Sequence, residues 1–367
     1  SPPVAVIALG GYGHQALCLY SDIDLLIVFR DAIGASEERF VKAVLHPLWD
    51  LGLTVGHQVR VQCVYEKLER DNPAYLMVLL VARFLAGDAA VFDAAQARFR
   101  GSSIEWREEV LEALLQLMEE RHARFNHTIY QLEPDIKDAP GALRDIAAAR
   151  VCLSLADGDG SGNAIEHDRL EQAEDFFLRI RSLLHLENGR NVNLLSHELQ
   201  EKAAERLRYP GAKRQQRVEA LMGGYFRHAR NVARALDRAR RLAGPPGRDT
   251  TRVSLGLNLE LTADGVGFVD EQRAGAEPAS WLHVFEMALA HGVPVADGAL
   301  DVFERHSTQY STSDLLPSPE DRQRLLRLLK PRRGLYARLS EMHDCGLLAA
   351  LFPEFKAISC PVIREFY

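Results

Sequence analysis

Two aspartates stand two residues apart in the stretch "ALGGYGHQALCLYSDIDLLIVF" (8–29). On an extended strand, side chains at i and i+2 share a face. Asp22 and Asp24 therefore project together, while Ile23 and Leu25 turn toward a core. Adjacent carboxylates repel unless a cation lies between them. Hard oxygen ligands of this kind suit Mg²⁺ (or Mn²⁺), which commonly bridges to substrate phosphates. Upstream, Gly10, Gly11 and Gly13 let a backbone approach a polyphosphate closely and offer it N–H donors, and Ser21 adds a hydroxyl. Taken singly, these features also read as a plain turn and a strand entry with solvated aspartates. Their order between two apolar strands favours Asp22 and Asp24 as catalytic metal ligands, with the glycines and Ser21 as phosphate contacts.

A small α/β unit must hold these residues. "VAVIAL" (4–9) reads as a buried strand ended by glycines, and "IDLLIVF" (23–29) as a second. "EERFVKAVLHPLWDL" (37–51) has a helical period, with Phe40, Val41, Val44, Leu45, Leu48 and Trp49 on one side and Pro47 as a kink or restart. "LTVGHQVRVQCV" (53–64) alternates like a third strand. The unit ends near residue 100, and we set its boundary at 1–103. From 104 to 244 the pattern is almost wholly helical, as in "EEVLEALLQLMEERHARF", "PGALRDIAAARVCLSLA" (140–156) and "EQAEDFFLRIRSLLHLENG", where Gly189 marks a C-terminal stop. "AGPPGRD" (243–249) is a linker by composition. The remaining 245–367 reads as a short β-hairpin, "VSLGLNLEL-TADG-VGFV", followed by helices. The expected class is α+β: a small mixed-sheet domain followed by a large, mainly helical region.

A length of 367 residues favours two or three domains. The net charge of −7 argues against a dedicated nucleic-acid binder, although a local basic patch can hide inside an acidic total. No apolar run approaches a membrane span. Cys18, Cys63, Cys152, Cys345 and Cys360 are odd in number and widely spaced, with no CxxC, so a disulfide framework or thiolate metal site is not expected and a cytoplasmic location is the default. The chain opens on Ser1 and runs at once into a strand, so no signal peptide is visible and an upstream segment is expected.

At these residues the sequence resembles the nucleotidyltransferase superfamily that includes DNA polymerase β, whose signature is a Gly-Gly or Gly-Ser turn followed by an Asp-x-Asp strand. The match is closer to one branch, the bacterial protein-PII uridylyltransferases/uridylyl-removing enzymes. Their domain reads approximately GGYGRGEL-x-P-x-SDIDLL, and here stands "GGYGHQALCLYSDIDLL". "LEPDIKDAPGALRDI" (132–146) resembles the branch's LEPNIKEGPGGLRDI, and "HPLWDLGLTVGHQVR" (46–60), "NLLSHELQEKAAERLRY" (193–209), "VEALMGGYFRHARNVAR" (218–234) and "EMHDCGLLAALFPEF" (341–355) echo further segments. There are departures. His14 stands where the branch usually has Arg, and Ala139 and Ala142 replace glycines. The third-strand carboxylate of many superfamily members is missing, with Gly56 and His57 in that region, as in the branch itself.

The resemblance implies a polymerase-β-like domain using Mg²⁺, UTP as nucleotide, a tyrosine of a PII signalling protein as acceptor, and a role in nitrogen regulation. It also implies that the loop carrying Lys137 faces the nucleotide cleft, with Glu133, Asp135, Arg144 and Asp145 positioning it or capping the helix that follows. The HD phosphohydrolase and ACT domains of the complete enzymes would lie beyond Tyr367. His343-Asp344 is a literal "HD" but lacks partners at metal-site spacing, so it reads as surface or packing. Adenylyl transfer to a protein, or a catalytically weak nucleotide-sensing or docking module, are the alternatives.

Other motifs weigh less. "DGDGSGNAIEHD" (157–168) resembles a calcium loop, but its apolar position falls one place late and it ends in Asp, so an interhelical linker fits better. The arginine-rich 204–252 reads as a solvated helix face before a basic docking surface. His57 and His127 are candidate proton shuttles, though packed or exposed histidines are commoner.

Overall fold

The computed structural model describes residues 3–65, 72–157, 164–242 and 252–358. The linker at 243–249, most of the calcium-like loop and Cys360 lie outside them. The chain divides into two compact units, Ser1–Ala243 and Gly244–Tyr367.

The first unit opens with a four-stranded mixed sheet in the order β3-β2-β1-β4, formed by β1 (Val4–Ala8), β2 (Ile23–Phe29), β3 (Val55–Val61) and β4 (Arg83–Gly87). β1 runs antiparallel to β2 from Val4↔Phe29 to Ala8↔Leu25, and β3 lies parallel to β2 from Ile23↔Val55 to Phe29↔Val61. The one-turn helix α1 (Gly10–Gly13) follows β1. α2 (Ala35–Asp50) carries Phe40, Val41 and Val44 onto Val4, Ile27, Phe29 and Val59, the stripe its period predicts. Pro47 lies inside that helix, and Trp49 is exposed rather than in the core. β4 was not anticipated: its five residues "RFLAG" follow an apolar helix, and their burial is only partial, so no period-2 pattern marks them.

After α3 (Gln62–Tyr65), α4 (Pro73–Leu80) and α5 (Ala89–Glu105) come the helices of the second part of this unit: α6 (Arg107–Ala123), α7 (Leu143–Asp157), α8 (Ala164–Asn188), α9 (His197–Arg206) and α10 (Arg214–Leu242). α10 packs against α7, α8 and α9, with Phe177, Leu221, Tyr225 and Val232 fully buried. α7 begins three residues after Pro140, because Gly141 adopts φ +77°, which no right-handed helix allows. Several α10 arginines pair outward, Arg238 with Glu166 and Arg240 with Glu119 and Asp237.

The second unit contains a three-stranded antiparallel sheet, β5 (Val253–Gly256), β6 (Leu259–Thr262) and β7 (Gly265–Phe268), where a two-stranded hairpin was expected. The extra reversal lies within "VSLGLNLEL": Gly256, Leu257 and Asn258 all take positive φ, a turn hidden in an alternating run. Its core stacks Phe285 on Phe303 and tilts Trp281 against the same ring. Among the described residues no helix is long and apolar enough to cross a membrane.

Candidate active site

β2 delivers the aspartates where β1 ends and α1 begins. Asp22 precedes the strand, Asp24 is its second residue, and both are exposed. The backbone of Leu9 donates to the Asp24 carbonyl at 3.0 Å, which fixes the glycine turn against the strand. Gly10 (φ +53°) and Gly56, the Asp24 partner on β3, flank the carboxylate. A Cβ on Gly10 would stand 3.2 Å from Oδ2, and one on Gly56 only 2.8 Å from Oδ1. Gly56 thus occupies the place next to Asp24 on β3, and any side chain there would displace the carboxylate. Burial, then the charge of Asp22, holds the Asp24 carboxyl above its ordinary value, with Lys137 partly offsetting.

This pair is short of positive charge, which a cation would supply. Among the described residues no group of three or more His, Cys, Asp or Glu could hold a metal. Two carboxylates suffice for an ion that takes its remaining ligands from water and phosphates, the usual mode for Mg²⁺, so the residues present fit one.

The segment 132–146 is built as a braced loop. Asp135 Oδ1 accepts from the backbone N–H of Lys137 at 2.8 Å and Asp138 at 2.7 Å. Ile136, buried, donates from its backbone to the Asn193 carbonyl at 2.9 Å, and Glu133 accepts from the first N–H of α9 at 2.7 Å. Asp145 is wholly buried, paired with Arg121, bonded by His122 Nε2 at 2.8 Å, and accepting from the Gly141 N–H at 2.7 Å. From this loop Lys137 lines the same cavity as Asp24. Burial, then the charges of Arg181 and Arg144, lowers the Lys137 pKa, and Asp138 followed by Asp22 pulls it back.

Gly10, Gly11, Asp24 and Lys137 line one cavity of about 580 Å³. Its helical wall carries Arg121 from α6, Arg124 at the C-terminal cap of that helix, Arg144 from α7 and Arg181 from α8. Apolar Val81, Leu117, Leu143 and Leu178 line it as well, as do the acids Glu120 and Glu174. His14 lines it too, with burial depressing its pKa, so that the ring is a poor substitute for a guanidinium.

Other candidates stand elsewhere. Gly13 is buried where a Cβ would strike the Val81 carbonyl at 2.7 Å, so it lets α1 and α4 meet and does not line the cavity. Ser21 Oγ accepts from the Cys18 N–H at 3.1 Å, shaping the turn before Asp22. His57 contacts the Trp49 ring, on the sheet face opposite Asp24. His127 pairs with Glu119 at the surface, and His343 packs on Phe355. Sequence reasoning missed Arg121, Arg124 and Arg181. Arg181 left a signal: it falls on the buried stripe of α8 between Phe177 and Leu184, where a charge needs a reason.

A sequence model of the family described as GlnD PII-uridylyltransferase matches residues 109–239. The chain is similar to proteins named bifunctional uridylyltransferase/uridylyl-removing enzyme. The identity is 30% over 373 residues with that of Photobacterium profundum, covering 97% of this chain and 42% of the relative. With that of Nitrobacter hamburgensis it is 29% over 382 residues, covering 97% and 41%. With that of Vibrio atlanticus it is 30% over 377 residues, covering 97% and 42%. The chain thus spans about two fifths of the length of these relatives.

Proposed function

This chain belongs to the family of the bifunctional uridylyltransferase/uridylyl-removing enzymes, and from that premise we propose that it is a divalent-metal-dependent nucleotidyltransferase. Its nucleotide is UTP and its acceptor a tyrosine hydroxyl of a PII-type signalling protein. The observation that carries this reading is exposed Asp24, with Asp22 two residues before it, lining one cavity with Lys137 and four arginines.

The acceptor oxygen attacks the α-phosphorus, the bond from that phosphorus to the β-bridging oxygen breaks, and pyrophosphate leaves. The hydroxyl proton passes to water at the open mouth, where both carboxylates are exposed. First-turn amides of α1, which a helix leaves without internal partners, and the Lys137 ammonium hold the phosphates. Asp22 and Asp24 would hold Mg²⁺, which supplies charge neutralisation and a lowered pKa for the attacking hydroxyl. The apolar patch of Val81, Leu117 and Leu178 gives the base or ribose a dry surface.

The test incubates the chain with Mg²⁺, each labelled nucleoside triphosphate and its host's PII protein, beside an Asp22→Asn/Asp24→Asn control. We expect label transfer from UTP and at least a hundredfold loss in the control. Preferential transfer from ATP would reassign the base, and transfer that survives the double change would reject the site. His14, uncharged where relatives of this branch carry Arg, favours one second reading, a nucleotide-sensing module. Binding of triphosphate with no turnover would support it.

A further inference from the structure

Arg181 lies on α8 with 6% of its surface exposed. Its guanidinium is held along one edge by two neutral amides. Nε donates to Asn193 Oδ1 at 2.8 Å and Nη2 to Asn191 Oδ1 at 3.3 Å. Two of the guanidinium's five donors are then spent, and the residue lines the Asp24 cavity. Of the other arginines near this wall, Arg121 pairs with Asp145, Arg144 with Asp138 at 3.2 Å and Arg150 with Glu174, while Arg124 has no acid partner among the described residues but is exposed to solvent. Among the described residues no carboxylate pairs with Arg181, and none pairs with the Lys137 ammonium. A buried cation without a counterion is costly, and neutral amides orient it without discharging it.

Arg181 and the loop that carries Lys137 are also pinned together. The backbone carbonyl of Asn193 accepts from Ile136, beside Lys137, while its side chain accepts from Arg181. Asp24, Lys137 and Arg181 line one cavity, with the Lys137 loop and Arg181 both tied to Asn193. A chain of phosphates whose α-phosphorus lies at Asp24 can extend within that cavity to Lys137 and Arg181.

We infer that Lys137 and Arg181 form the subsite for the pyrophosphate half of the nucleoside triphosphate, with Asn193 as the positioning residue that holds both. The inference rests on the proposed nucleotidyl transfer and adds which groups grip the leaving group. The neutral amides are essential to it: an acid at 193 would satisfy Arg181 and switch off its claim on phosphate.

The test is calorimetry of the full chain with inorganic pyrophosphate and, separately, with UTP and UMP. Arg181→Gln is expected to weaken pyrophosphate binding at least tenfold and leave UMP within about twofold. Asn193→Asp separates this role from a structural one. It gives Arg181 a better internal partner, so the melting temperature holds or rises, yet pyrophosphate binding falls at least tenfold. If either variant folds and binds pyrophosphate as tightly as the parent, the subsite is overturned while nucleotidyl transfer stands. If the parent chain binds UTP but no pyrophosphate, the subsite is likewise overturned. If it binds neither, both readings fall.

Discussion

Between Gly10 and Gly56 the Asp24 carboxylate has a gap on each side that a methyl group would close, at 3.2 Å from one oxygen and 2.8 Å from the other. Partial burial, and then the charge of Asp22, makes its ionised form costly in the fold. The sign of the consequence is opposite to that of a salt-bridged aspartate. A carboxyl raised in the folded state binds its proton more tightly than in the unfolded chain, so stability falls as pH rises from the ordinary value of 3.8 through the raised one, then stays flat. Asp24→Asn should therefore raise the metal-free melting temperature at pH 7 by about 2 °C, and the gain should vanish below pH 3.8. Scanning calorimetry at several pH values checks this, and a drop at pH 7 would show that Asp24 is structural. The aspartate pair was legible because i, i+2 spacing on a strand has one geometric meaning. The basic wall was not, because Arg121, Arg124 and Arg181 come from two helices whose approach to the sheet no local pattern encodes.

At the scale of elements, the loop before α7 is where local chemistry and packing meet. Ala139 and Ala142 are both buried, so the fold accommodates their methyls. Gly141 has no such freedom. Its φ of +77° belongs to glycine, and a Cβ would stand 2.6 Å from the Ala229 carbonyl of α10. Its N–H also donates to Asp145, so a shift would reach the Arg121–His122 network. Gly141→Ala is expected to cost about 2–4 kcal/mol, lowering the melting temperature by roughly 5–10 °C. Ala139→Gly, which only removes a methyl, should cost about 1 kcal/mol. Thermal denaturation of the two variants decides it, and equal effects would show that α10 can yield. Helix existence and facing were readable from period, as for α2 and α8. The start of α7 was placed too early although Pro140-Gly141 is a turn dipeptide, and the turn at Leu257–Asn258 was not readable, since Leu257 takes a positive φ that its residue type does not announce.

The whole molecule carries a net charge of −7, yet the cavity beside Asp24 is lined by four arginines and a lysine. The excess of acid lies elsewhere, so composition argued correctly about bulk charge and said nothing of the site. Every residue lining that cavity belongs to the unit Ser1–Ala243, as do both carboxylates and Asn193. The sheet supplies the carboxylates and the helices the cations, and the two sets meet inside one unit with its own core. A chain ending at Ala243 should therefore bind UTP with an affinity within about threefold of that of the 367-residue chain, and with the same steep weakening as salt rises. Parallel titrations of the two chains in low and moderate salt measure this. A loss of more than tenfold in the shorter chain, with its helical circular dichroism intact, would mean that residues beyond 243 complete the nucleotide site, and the assignment of the phosphate grip to α6, α7 and α8 would have to be redrawn.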